Sequence, residues 1–296
     1  MPFNTGGGYD AVARQLANPL QSALGQPVVV KNIPGGGQRI AARQFQQSPA
    51  DGYTLIYPSD TTLWTDVLIT PAEGFDLQSW IWINGVRKSP AFVAVPKDSR
   101  WYTIQDVLIA DRRGTRIRMG HNGAGGFLPS QVALTAALGI TNASFVGGFT
   151  GTADITPSLV RGELDLQVFS PISSTLQFVN SGEMRAILVL EPERSPLLPD
   201  TPTARELRLP NIDDLEVAST ALSGVAVPPD TPADRAGYLG AMVMTALRDP
   251  GFLAWAREAG VEADLEFTSG SEFTEMKRRE YDVWRRYEAP LREALQ

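Results

Sequence analysis

Three consecutive glycines, Gly6, Gly7 and Gly8, stand just ahead of Asp10, and together they are the residues of this chain best suited to holding an anion. Glycine lets bare backbone amides approach a ligand closely, and a helix that starts there adds the positive end of its dipole. The loop reads PFNTGGGYD over 2–10, which makes Phe3, Asn4, Thr5, Gly6 and Gly7 candidate binding residues for a carboxylate or phosphate. Asp10 belongs to the same candidate site, but an acid would repel an anion directly. Its expected place is as a helix cap or the holder of an ordered water. A second motif, GHNGAGG over 120–126, also opens a helix. It carries His121, the sole histidine of the chain, as a possible donor to a carboxylate. Asn122 and the amides of Gly123 and Gly125 are donors that do not depend on pH. Two such loops far apart in sequence imply two lobes closing on one small acid.

The remaining candidates sit where strands end, the position at which α/β proteins gather ligands. Ser59 and Thr61 follow a strand over 53–57 and offer hydroxyls, or else cap the next helix. Phe149 and Thr150 end another strand, and Ser170 ends a third, with Pro171 stiffening the turn. Trp64 either walls the pocket or belongs to the core. The glycines at 35–37 lack the lysine-serine or lysine-threonine pair of a phosphate-binding loop, and no dinucleotide fingerprint follows the first strand. Catalysis has little to draw on: a serine triad would depend on His121, and no nucleophile-elbow pattern surrounds a serine. Metal binding by histidine and cysteine fails on count, and no cofactor is expected. The Asp213-Asp214 pair reads as solvated surface.

The chain has 296 residues, enough for two ordinary cores, with 43% hydrophobic and 20% charged residues as in globular proteins. A net charge of −7 argues against nucleic acid as a partner. With no cysteine, disulfides and thiolate chemistry are excluded. Lys31, Lys88, Lys97 and Lys277 are the only lysines, a skew toward arginine with no chemistry attached. No apolar run approaches the length of a membrane span. A loop of the PFNTGGG kind normally follows a strand, so a first strand and an export signal are expected ahead of Met1.

The elements that must position these residues alternate. Apolar spacing predicts a helix over 11–24, kinked or restarted at Pro19, then a short strand at 28–30, a glycine turn, a helix to about 47 and a strand at 53–57. Further strands are read at 80–86 and 91–95. From Thr103 the alternation restarts: strands at 116–119, 143–146, 165–169 and 185–190, separated by helices at 103–110, 129–138, 152–160 and 175–180. A proline-rich traverse spans 192–210, strand-like sequence returns at 217–227, and helices close the chain, the last over 272–295. Such alternation implies mostly parallel sheets flanked by helices.

With both glycine motifs in view, the sequence resembles the Bug-type solute receptors of bacterial tripartite tricarboxylate transporters. The resemblance rests on PFNTGGGYDAVARQLA, GQPVVVKNIPGGG, SPADGYTLIYPS, RGELDLQ, SGEMRAILVL and ERSPLLPDTPTARELRLP, in the family's order. It departs at GHNGAGGFLPSQVAL, where the family has a serine and a histidine, and at Gly148-Phe149-Thr150-Gly151, which replaces a tyrosine-lysine-glycine segment. The resemblance implies an α/β, two-lobed periplasmic binding protein fold with the ligand between the lobes. Lobe one would comprise 1–95 and 213–296, and lobe two 96–212. It further implies a monomeric periplasmic receptor that binds a small organic acid (a mono-, di- or tricarboxylate, aromatic bodies included) and delivers it to membrane permease subunits. The alternatives are an enzyme acting on an organic acid in the same cleft, and a sensory receptor.

Overall fold

The computed structural model describes residues 1–69, 76–123 and 127–295, and the chain divides into two compact units. Unit 1 is Met1–Lys88 with Leu222–Tyr281, and unit 2 is Ser89–Ala221 with Asp282–Gln296. The sequence reading sets these bounds at 95 and 213 and keeps the whole C-terminus in the first lobe; in the structure the last residues belong to unit 2.

The strands are β1 (Ile81–Ser89), β2 (Phe92–Pro96), β3 (Ile117–Gly120), β4 (Ala143–Val146), β5 (Gln167–Phe169), β6 (Met184–Val189) and β7 (Ala221–Val227). The α-helices are α1 (Gly8–Leu24), α2 (Arg39–Gln46), α3 (Asp60–Ile69), α4 (Ile104–Arg112), α5 (Leu128–Leu138), α6 (Thr152–Val160), α7 (Ser173–Asn180), α8 (Ile212–Ser219), α9 (Ala233–Leu247), α10 (Pro250–Glu258), α11 (Gly270–Arg286) and α12 (Glu288–Glu293).

In unit 1, β1 pairs with β7 along one edge. Along the other it meets the segment before α11, where Gly85 N donates to Thr268 O and Glu266 N to Val86 O. The four-residue spacing of Val12, Leu16 and Leu20 gives α1 one apolar stripe, which packs with Val225 and Val227 of β7 and Leu239 and Val243 of α9. Each such leucine is worth about 1.5–3 kcal/mol when buried. α1 runs through Pro19 as one element and stops at Gly25, which takes the left-handed conformation at φ 64°. A second, aromatic cluster joins Phe45, Trp64, Trp80, Trp82 and Phe273. Trp64 is core, buried and set against Tyr281 with ring centroids 5.0 Å apart.

Residues 28–30 and 53–57, read as strands from sequence, form no ladder; Ile56 makes a single antiparallel bridge to Ala226. The two segments border an apolar groove of about 370 Å³ lined by α1 and α2. Met1 pairs beside the first of them, donating to Lys31 O at 3.0 Å and accepting from Ile33 N at 2.8 Å.

In unit 2 the three-stranded sheet runs β5-β2-β6, with β2 antiparallel to both neighbours. β3 and β4 pair in parallel, Gly120 opposite Val146. Asp165 N and Leu166 N donate to Arg118 O, joining the start of β5 to β3. The loops after β3, β4 and β5 therefore carry His121, Phe149 with Thr150, and Ser170. The strand expected over 217–227 begins only at Ala221, because α8 takes the preceding residues. Asp213 and Asp214 sit in its first turn, favourable at a positive helix end, and Leu215 and Ala218 face inward. Neither acid is simply solvated: Asp213 pairs with Arg205 at 2.7 Å and Asp214 with Arg286 at 2.6 Å. The expected final helix is broken at Tyr287 into α11 and α12.

Candidate functional site

The first glycine loop is organised by Asp10. Its Oδ2 accepts from Gly6 N at 2.9 Å and Arg14 Nε at 2.8 Å, and its Oδ1 accepts from Asn32 Nδ2 at 2.8 Å. Asn32 also donates to Phe3 O at 3.0 Å, and Arg14 Nη2 donates to Asn32 Oδ1. Asp10 is 2% exposed, and the Arg14, Gly6 and Asn32 hydrogen bonds hold its carboxyl far below the usual carboxylate range. The acid is the knot that ties the loop to α1 and to the segment at 31–33; it stands third in the helix, whose N-cap is Gly7, and so is not the helix cap expected from sequence.

Around that knot Asn4, Thr5, Gly6 and Gly7 are exposed, and Gly6 has φ +88°, a conformation glycine adopts freely. The N-cap of α1 is Gly7, with no side-chain cap, so the amides of the first turn have no intrahelical acceptor. Phe3 stacks on Tyr9 at 4.4 Å and walls the loop.

Ser59 is held by a residue that the sequence reading passes over. Gln38 Nε2 donates to Ser59 O at 3.0 Å while Ser59 N donates to Gln38 Oε1 at 2.9 Å, a closed amide pair in a buried setting. Gln38 sits at φ +76°, which costs a non-glycine residue about 1–2 kcal/mol. The paired amide is what holds it there. Thr61 lies in the first turn of α3, and its side chain falls outside the described residues.

In unit 2 the backbone of Gly120 is clamped by two glutamines. Gln167 Oε1 accepts from Gly120 N at 3.0 Å, and Gln131 Nε2 donates to Gly120 O at 2.7 Å. His121 N donates to Val146 O, which aligns the loop with β4. His121 Nδ1 accepts from Gly123 N at 3.1 Å, which assigns the imidazole proton to Nε2. Burial lowers the His121 pKa, so the ring is neutral at pH 7. Nε2 lies over Gly147, where an added Cβ would come within 3.3 Å. The amide of Gly123 is thus engaged inside the loop, and the donor it leaves is His121 Nε2–H. Asn122 Oδ1 accepts from Phe127 N at 3.3 Å, a local turn bond. Gly125 lies outside the described residues.

Thr150 is engaged in the same inward fashion. Its N–H and hydroxyl both donate to Asp154 Oδ2, at 2.7 and 3.0 Å, and Gly151 N donates to Oδ1. Asp154 stands third in α6, as Asp10 stands third in α1, so each unit closes a glycine-bearing loop with its own acid. The Phe149 ring packs against Gly120, and Ser170 is half-buried with its carbonyl accepting from Thr175 Oγ1 at 2.7 Å. Sequence reasoning missed Asn32, Gln38, Gln131, Gln167 and Asp154, all side chains that bind backbone. The only sign of them is a polar residue in an otherwise apolar stretch, as Gln131 is in α5.

Among the described residues no group of acids and histidine is placed to hold a metal ion, and no helix is long and apolar enough to cross a membrane.

Comparison with known proteins bears on this arrangement. The model of the tripartite tricarboxylate transporter family receptor matches residues 12–272. A UPF0065 protein encoded in the tcbD-tcbE intergenic region of Pseudomonas sp. (strain P51) is 28% identical over 265 residues, covering 88% of this chain and 76% of that protein. The fold is shared with a TctC solute binding protein from Polaromonas, solved with no ligand, at a TM-score of 0.82 and 20% identity over 99% of this chain and 96% of that one. It is also shared with an R. palustris protein solved with adipate, at a TM-score of 0.76 and 24% identity over 98% and 95%. These are two-lobed α/β binding proteins, and the family is one of receptors rather than enzymes. The chain belongs to the tripartite tricarboxylate transporter receptor family.

Proposed function

We propose that this receptor is periplasmic, binds a small dicarboxylate and delivers it to the permease subunits of a tripartite transporter. The observation that carries the reading is the α1 loop. A helix of 17 residues opens on exposed glycines without a side-chain cap, while its own acid is tied back by Arg14, Asn32 and Gly6. An oxyanion there meets first-turn amides and the positive helix end. In unit 2 the donor of this kind is His121 Nε2–H, neutral and directional. The adipate carried by the R. palustris neighbour is a linear acid of the chemistry such donors suit. A charge-assisted hydrogen bond is worth about 1.5–3 kcal/mol, so a few neutral donors and bridging waters suffice for each carboxylate.

A thermal-shift screen against aliphatic dicarboxylates, citrate and aromatic acids tests the proposal. A ligand at about a hundred times its Kd adds about 2.7 kcal/mol and raises the melting point by a few degrees. A shift with dicarboxylates supports the assignment. A cooperative melt that no acid moves removes it.

A further inference from the structure

The apolar groove of unit 1 lies between two segments whose backbone groups are placed for strand pairing. Ile56 spends both its N–H and its C=O on Ala226 of β7, each bond at 3.0 Å. Successive residues of a strand turn these groups to opposite edges, so those of Leu55 face away from β7. Among the described residues none bonds to the backbone of Leu55 or Val29, or to the N–H of Lys31. The Val29 and Tyr53 side chains are both 85% exposed. An uncovered edge of this kind is a template for a further strand, and folded proteins generally cover it.

Met1 fixes the direction that such a strand takes. Its amino group donates to Lys31 O at 3.0 Å, and its carbonyl accepts from Ile33 N at 2.8 Å. Bonding to the groups just before and just after one partner residue is the pattern of a parallel ladder, here centred on Asn32. Continued toward the amino side, that ladder sets the residue two places before Met1 opposite Val30. The residue four places before it then lies opposite Val28. Met1, Val28 and Val30 all line the groove.

The lining sets the side chains that the strand must carry. Leu16 and Leu20 of α1 belong to one core cluster and Phe45 of α2 to another, and all three line the groove. Lys31 is the one charged side chain among the lining residues. A strand covered by helices on both faces reads as a continuous apolar run, without polar alternation.

We propose that this groove seats an additional strand of about five residues, apolar throughout, that runs parallel to 28–32 and enters Met1 from its amino side. In that place it joins 28–32 to 53–57 and β7 in one sheet, and it anchors the lead-in to the glycine loop. The pairing does not depend on which acid the receptor binds, and its test uses no ligand.

The test extends the full chain ahead of Met1 by Lys-Ile-Val-Ile-Val, with Lys-Ser-Gly-Ser-Gly and Lys-Ile-Pro-Ile-Pro as controls. The first control lacks the apolar side chains, and the second keeps an apolar run but removes two backbone donors. Residues 1–296 are the same in every chain, so each is read against the parent's own melt. The Lys-Ile-Val-Ile-Val extension should raise the melting temperature by about 5 °C or more. It should also slow amide hydrogen exchange at Val29, Lys31 and Leu55 by about a hundredfold. The Lys-Ser-Gly-Ser-Gly chain should match the parent, and Lys-Ile-Pro-Ile-Pro should give less than about half of the melting shift. An equal shift with Lys-Ser-Gly-Ser-Gly, or unchanged exchange at Leu55 with Lys-Ile-Val-Ile-Val, overturns the assignment. So does protection that appears only with a dimer in light scattering, because the groove then seats a strand of a second copy.

Discussion

Replacing Asp264 with alanine should destabilise the receptor severely, and removing its partner as well should restore much of the loss. Arg87, near the end of β1, donates through Nη2 and Nε to Asp264 Oδ2 at 2.7 and 3.2 Å. The side chains are only 9% and 10% exposed. Burial opposes the charge on Arg87, yet the Asp264 carboxylate outweighs it and raises the guanidinium pKa. Burial also raises the Asp264 pKa, against the pull of Arg87. Removing one member of a buried pair leaves the other charged and unsolvated, at about 3–5 kcal/mol. For a chain of this size, each kcal/mol moves the melting point by about 2–4 °C, so Asp264→Ala should melt roughly 6–20 °C lower. Arg87→Met with Asp264→Leu leaves no buried charge and should recover most of that loss. Tryptophan fluorescence during thermal and urea unfolding of the parent, both single variants and the double gives the cycle. A single substitution costing under about 1 kcal/mol, as exposed pairs do, with a double equal to the sum, would refute the reasoning.

Further outcomes follow from the loops. Because His121 is neutral and offers Nε2–H, dicarboxylate affinity measured by calorimetry should stay level from about pH 6.5 to 8. A steep fall over that range would mean an imidazolium anchor, whereas His121→Ala should weaken binding by about tenfold or more at either end. With its folded pKa below the unfolded value of about 6.5, His121 binds fewer protons folded than unfolded. Its contribution to stability is therefore complete above about pH 6.5 and declines as the pH falls, which melting of His121→Ala against the parent will register. Asp10 follows the same sign in another window: its folded pKa is depressed, so its contribution is full above about pH 3.9 and is lost on further acidification. Asp10→Asn should flatten that acid limb and expose the loop at 2–10 to limited proteolysis at pH 7; an unchanged cleavage pattern would contradict the knot. Gly147→Val drives a side chain into His121 Nε2 and should weaken dicarboxylate binding with little change in melting temperature.

The glycine loops and the helices behind them are legible because their signals are local. GGG before an acid, a four-residue apolar spacing over 12–24 and a glycine stop at Gly25 all act within one or two turns. What the sequence hides is where each donor points. Gly123 and Thr150 look like ligand donors, yet one is engaged by His121 and the other by Asp154, and only geometry distinguishes an inward amide from an outward one. The clamps by Gln38, Gln131 and Gln167 are equally hidden, since each joins backbone across 11 to 47 positions. The strand expectations that failed did so for different reasons. Residues 28–30 have the β-branched composition of a strand, but a ladder requires a partner at bonding distance, and an apolar groove lies beside them. Residues 217–219 look like the start of β7, but the acids at 213–214 favour a helix there, and Arg205 and Arg286 hold those acids in place.

The central claim is that this chain recognises a dicarboxylate and leaves it unchanged. Calorimetric titration with a series of linear dicarboxylates of increasing length, with the acid recovered and examined by NMR, tests it most directly. Saturable binding of at least one member, recovered intact, is the predicted result. A cooperatively melting protein that binds none of them, or one that consumes the acid, would contradict it.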